Sequence, residues 1–121
     1  MRYLTLIILV LSVQFAFVSC SNSQTSKQEN KQENLDYSEA FLLDVRTPQE
    51  HKNEAVEGSV NIPINELKSN LDKLPKDDLI IVYCASGARA TSAIKMLESE
   101  GFTKLKNGIN SSYVRQLLDE K

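Results

Sequence analysis

The 121-residue sequence predicts an open, parallel α/β fold. Three observations carry that expectation. Four short β-like runs alternate with helical patterns along the chain. Two of those runs, "AFLLDV" (Ala40–Val45) and "LIIVYC" (Leu79–Cys84), are continuously apolar, as in strands covered on both faces. The alternation itself requires crossover connections, and crossovers carry helices onto the faces of a parallel sheet.

The chain opens with "MRYLTLIILVLSVQFAFVSC". Arg2 supplies a positive start, Leu4 to Val18 is almost unbroken apolar sequence, and small residues follow. A bilayer span needs about 20 apolar residues, and this run is shorter and carries Gln14. Residues 1–19 therefore read as an export signal. Cys20 directly after "VS" resembles a bacterial lipobox, with Phe17 where leucine is usual, so Cys20 is the expected lipidation site and membrane anchor. A plain signal peptide or an uncleaved anchor is the alternative. Residues 20–34, with their repeated "KQEN", are polar and offer nothing to bury, which predicts a disordered tether with a reach of roughly 20 Å. The folded domain is then 35–121. These features predict a location in a bacterial cell envelope, facing the periplasm. Leaving Arg2 aside, 13 basic residues face 16 acidic ones with no basic cluster, so nucleic acid is excluded as a partner.

After the first strand, Thr47-Pro48-Gln49-Glu50 is a compact helix start: Thr47 caps, Pro48 suits the first turn, and Glu50 completes a capping box. "SVNIP" (Ser59–Pro63) and "TKLKN" (Thr103–Asn107) are weaker strands, expected near the sheet edges. Ile64, Leu67, Leu71 and Leu74 have helical spacing. So do Ala90, Ala93, Ile94 and Leu97, with Gly101 placed to end that helix. Val114, Leu117 and Leu118 mark a last helix opened by Asn110 or Ser111.

Function in parallel sheets gathers outside the carboxyl ends of the strands, and Cys84 stands at one of them. The loop "CASGAR" joins this strand to a helix. Gly87 permits a curl that turns the N–H groups of Ala85, Ser86, Gly87, Ala88 and Arg89 inward, and the helix adds the positive end of its dipole. The nearest anion is the Cys84 thiolate, so its pKa should fall below about 8.5 and the thiol should be nucleophilic at neutral pH. A small buried hydrophobe is the bland alternative. Against it, an exported chain seldom keeps an unpaired thiol without a use.

Taken in order, "DVRTPQEH", "EGSVNIP", "YCASGARA" and "GF…LKNGI" resemble the successive signatures of the rhodanese family over about residues 38–118. The resemblance implies a three-layer α/β/α fold with a small open parallel sheet of four to five strands. It also implies a sulfurtransferase of the thiosulfate type. Cys84 would take the outer sulfur of a donor such as thiosulfate, forming a persulfide held by the N–H groups of Ala85 to Arg89. A thiol acceptor, or cyanide in the test tube, would then remove it. No metal or organic cofactor is implied. The alternative is a sulfane-sulfur carrier that delivers to a protein partner. Four residues separate Cys84 from Arg89, where rhodanese-like phosphatases and arsenate reductases have five, so oxyanion chemistry is disfavoured.

The chain also departs from common family patterns. Glu54-Ala55-Val56-Glu57 replaces a frequent Gly-His segment, Ala85 stands where arginine is frequent, "NGI" replaces Gly-Gly-Ile, and Tyr113 lies where tryptophan is common. The loss of a rim arginine argues against rapid use of the thiosulfate dianion.

Asp44 and Arg46 could line the site mouth, but the expected role is structural support, with Arg46 pairing to Glu50 one helical turn away. His51 should pack or face solvent rather than act as a base. Ser86 and Thr91 could donate to a bound sulfur anion, or Thr91 could cap the helix or face solvent. Arg89 could point at substrate or bond to the carbonyls of its own loop.

Overall fold

The computed structural model describes residues 36–120. The expectations for the signal, Cys20 and the tether lie outside these residues. Four strands form one sheet: β1 (Phe41–Asp44), β2 (Val60–Asn61), β3 (Ile80–Cys84) and β4 (Leu105–Asn110). Their order is β2-β1-β3-β4 and every pairing is parallel. The helices are α1 (Pro48–Asn53), α2 (Ile64–Leu67), α3 (Ala88–Ser99) and α4 (Ser111–Asp119), with 3-10 segments at Tyr37–Glu39 and Lys68–Lys73. The α/β class and the four strands agree with the sequence expectation, and the two weaker strands lie at the sheet edges.

Period-two alternation sorts the strand side chains into two cores. Leu43, Val45, Ile80, Val82 and Cys84 pack with Ala90, Ala93 and Leu97 of α3 and with Leu67 and Leu74. On the other face, Leu42, Ile81 and Tyr83 pack with Val56 and Val114. All five residues of β3 are buried, as a central strand between two helical layers requires. Ala90 and Ala93 lack bulk beyond Cβ, which lets α3 lie close on the sheet.

Local signals bound α1, α3 and α4 as anticipated. Thr47 and Glu50 form a reciprocal capping box on α1, and the Asn110 side chain accepts from Tyr113 N to cap α4. Gly101, at φ 90°, follows the end of α3.

Two segments differ from expectation. Ile64, Leu67, Leu71 and Leu74 do not share one α-helix: four residues of α2 give way to a 3-10 segment, broken by the non-helical Asn70. The apolar residues still reach the first core, because 3-10 and α spacings present nearly the same face over so few residues. Strand β4 runs to Asn110 rather than ending at Asn107. Asn and Gly are poor strand formers, but pairing with β3 overrides that preference. A bulge makes this possible: Val82 pairs with Asn107 and Tyr83 with Ile109, leaving Gly108 out of register. A Cβ on Gly108 would lie 2.7 Å from side-chain atoms of both Ile81 and Val114, so only glycine lets α4 pack here.

Candidate active site at the carboxyl end of β3

Cys84 ends β3 facing the α3 layer and is 1% exposed. The chain then turns through Ala85 and Ser86 into Gly87, whose φ of 90° lies in the left-handed region. Glycine is needed there for its backbone angles rather than for space: an added Cβ would meet Ile109 only at an ordinary 3.5 Å. That curl brings the Gly87 N–H to the Cys84 Sγ at 3.0 Å. Burial pushes the Cys84 thiol up, but the amides of Ala90, Ser86, Gly87 and Arg89 outweigh it and hold the thiol below its ordinary range. Cys84 is a free thiol. The arrangement is a backbone cradle around one sulfur anion, reinforced by the amino end of α3.

The cradle is braced from three sides. Asn107 of β4 donates from Nδ2 to Thr91 Oγ1 at 2.9 Å and to the Gly87 carbonyl at 3.3 Å, while its Oδ1 accepts from Ile109 N at 2.8 Å. Thr91 returns its hydroxyl to the Gly87 carbonyl at 2.9 Å, so it neither caps the helix nor aims at the sulfur. Arg89 forks onto the Glu50 carboxylate of α1. It therefore does not bond to its own loop carbonyls, because a planar carboxylate two-point match outcompetes single carbonyls.

That fork also corrects the expected Arg46–Glu50 pair. Arg46 turns instead to Asp44, with Nε and Nη2 reaching the carboxylate at 2.9 and 2.7 Å. Its own backbone N–H donates to the same group at 2.9 Å. The Asp44 carboxylate is fully buried and would otherwise go without a permanently charged partner, so the guanidinium satisfies it. Burial pushes Asp44 up, and the bonds from Arg46 and then His51 hold it net below the usual carboxylate range. His51 Nδ1 lies 3.0 Å from Asp44 Oδ2 and donates, since an ionised carboxylate only accepts. Asn61 Nδ2 ties down the carbonyls of both Asp44 and Arg46. Arg46 further stacks over the Tyr83 ring at 5.3 Å.

A cavity of about 260 Å³ opens in front of Cys84, walled by Arg46, Glu54, Ala85, Asn110, Ser111 and Ser112. Of the residues singled out in the sequence, Cys84, Ala85 and Arg46 border it. Asp44 is buried behind it, and Glu50 holds Arg89 beside the loop. Glu54, Asn107 and the Asn110–Ser112 wall are site residues that local sequence signals do not mark as such. One signal was available: all four strands are parallel, so the segment after β4 ends on the same side as Cys84. Among the described residues, no group of three or more His, Cys, Asp or Glu side chains could hold a metal ion.

Fold and site together define a small parallel α/β domain built around a strand-end cysteine loop. The rhodanese-like domain model matches residues 22–112, and the chain belongs to that family. It is 36% identical over 67 residues to the thiosulfate sulfurtransferase PspE of Escherichia coli, covering 54% of this chain and 64% of that one. It is 29% identical over 72 residues to a sulfurtransferase of Allochromatium vinosum, covering 60% and 67%. The chain thus spans somewhat under two thirds of the PspE relative. Among solved structures, an E. coli rhodanese with anions superposes with a TM-score of 0.58 at 30% identity, covering 61% of this chain and 89% of that one. The human single-domain sulfurtransferase TSTD1 superposes at 0.55 with 27% identity, covering 68% and 83%.

Proposed function

We propose that this chain is a sulfurtransferase in which Cys84 carries sulfane sulfur as a persulfide. The Cys84 thiolate attacks the outer sulfur of a donor such as thiosulfate. The donor S–S bond breaks, sulfite leaves with the electron pair, and Cys84 keeps the sulfur as Cys–S–S⁻. A thiol, or cyanide in an assay, then attacks the terminal sulfur and releases the thiolate, forming a new persulfide or thiocyanate.

The Gly87 amide at 3.0 Å from Sγ carries this reading. A backbone donor at that point stabilises an anion without needing a base, and it favours the thiolate before transfer and the persulfide after it. Ala85 to Arg89 form the sulfur-binding loop, and Asp44, Arg46 and Glu50 support it. The names of the E. coli and A. vinosum relatives support the same chemistry.

The export reading belongs to the same proposal: residues 1–19 as a lipoprotein signal, Cys20 as the lipidated residue, and 20–34 as a polar tether in the cell envelope. Labelled palmitate should enter the full-length chain and vanish with Cys20→Ala.

The test of transfer is intact mass after thiosulfate treatment, with a cyanide chase. A gain of one sulfur atom, lost as thiocyanate and absent from Cys84→Ser, is the expected result. Full sulfur transfer by Cys84→Ser would overturn the mechanism.

A further inference from the structure

Each arginine around the cavity is paired with a carboxylate: Arg46 with Asp44, Arg89 with Glu50, and Arg115 with Glu54. Of these six side chains, only Arg46 and Glu54 wall the cavity itself. Ala85, directly after the cysteine, brings no charge. Among the described residues that line the cavity, what remains to attract an anion is the amino end of α4, whose first residues form one wall. A helix end is worth about half a charge, and the α3 end is already engaged with the thiolate. Glu54, paired with Arg115, offsets that guanidinium and also faces the α4 end through Ser111. Its Oε1 accepts from Ser111 Oγ at 2.8 Å and from Arg115 Nη1 at 3.0 Å. Arg115 and then Ser111 hold the Glu54 carboxyl below its ordinary range, so it is ionised at neutral pH.

We infer that Glu54 is a specificity-determining residue. By masking Arg115 and the amino end of α4, it biases the cavity against dianionic sulfur donors and toward hydropersulfides of low net charge that carry an ammonium group. This rests on the sulfur-transfer reading of Cys84. A dianion approaching an anionic thiolate meets no unpaired guanidinium among these three arginines, whereas an ammonium group finds a carboxylate on the cavity wall. The transfer itself is unchanged: the thiolate attacks the outer sulfur of R–S–SH, the S–S bond breaks, and RS⁻ leaves as Cys84 becomes Cys–S–SH.

The test is single-turnover sulfur loading followed by intact mass, with thiosulfate and with cysteamine persulfide as donors. Glu54→Gln keeps an acceptor for Ser111 and Arg115 but removes the charge. Thiosulfate loading should then speed up about tenfold, as expected for one charge acting on a nearby dianion. Loading by cysteamine persulfide should slow. Arg115→Gln should shift the ratio the other way, and added salt should compress both differences. An equal change for both donors, or none for thiosulfate, overturns the charge filter and leaves sulfur transfer standing. Wild-type loading by neither donor overturns sulfur transfer at Cys84, and the filter falls with it.

Discussion

Arg89 and Glu50 lie 39 residues apart and meet as a two-pronged ion pair beside the cysteine loop, Nη1 to Oε2 at 2.9 Å and Nη2 to Oε1 at 2.8 Å. The pair ties the start of α3 to the capped start of α1. Arg89 also lies within electrostatic reach of Cys84, so the guanidinium and the thiolate favour one another's charged forms. Arg89→Ala should therefore raise the Cys84 pKa and slow sulfur loading at neutral pH several-fold. The stability loss should stay below about 1 kcal/mol, because both side chains are about one-third exposed and solvent screens them. Alkylation against pH and a urea melt on the same variant separate the two effects. An unmoved thiol pKa would remove Arg89 from the electrostatics of the site.

Cys84 itself sets the pH dependence. Its folded pKa is depressed, so thiolate persists below the ordinary thiol range and is lost only as pH falls through the folded value. Iodoacetamide reactivity should have its midpoint below about 8.5. Sulfur loading should follow the same curve. A midpoint at or above that of a free thiol would refute the cradle. Gly87→Ala should move it upward, since the left-handed turn that aims the amide would be strained.

Asp44 anchors a buried charge network, and removing its carboxylate leaves Arg46 with an unpaired, nearly buried charge. Asp44→Ala should cost about 3–5 kcal/mol, measured by chemical denaturation. Asp44→Asn, which keeps the shape and some bonds, should cost less and provides a folded variant if the alanine form does not fold. Because the folded pKa of Asp44 is depressed, its contribution is present above the ordinary carboxylate range and is lost as pH falls through the folded value. The acid limb of the stability curve should accordingly flatten in Asp44→Asn.

Strand β4 holds an uncommon conformation beside the site. Ile109 has φ 58° and is 39% exposed, although a β-branched residue is disfavoured there. The bulge at Gly108 and the bond from Ile109 N to Asn107 Oδ1 hold it in place. Ile109→Asn, which tolerates this region, should raise stability by a few tenths to about 1 kcal/mol. Gly108→Ala should lower it by about 1–3 kcal/mol through overpacking against Ile81 and Val114. Thermal melts of the two variants should move in opposite directions, and a neutral Gly108→Ala would show that α4 can shift to make room.

By itself the sequence determined the α/β class, the edge and central strands, the capping box on α1, the end of α3, the start of α4, and the cysteine loop. These were legible because each rests on local chemistry: an unbroken apolar run, a Thr-Pro-x-Glu start, a glycine where the chain must turn left-handed. Tertiary structure alone decided the partners. Arg46 had Asp44 and Glu50 both within a few residues, and only the folded turn made the buried Asp44 carboxylate its partner and left Glu50 for Arg89. The Glu54–Arg115 pair and the Asn107 clamp join residues far apart in sequence, and their side chains alone name no partner. Even the end of β4 was set by its neighbour, because "NGIN" is a poor strand until β3 supplies the ladder and a glycine bulge absorbs the misfit.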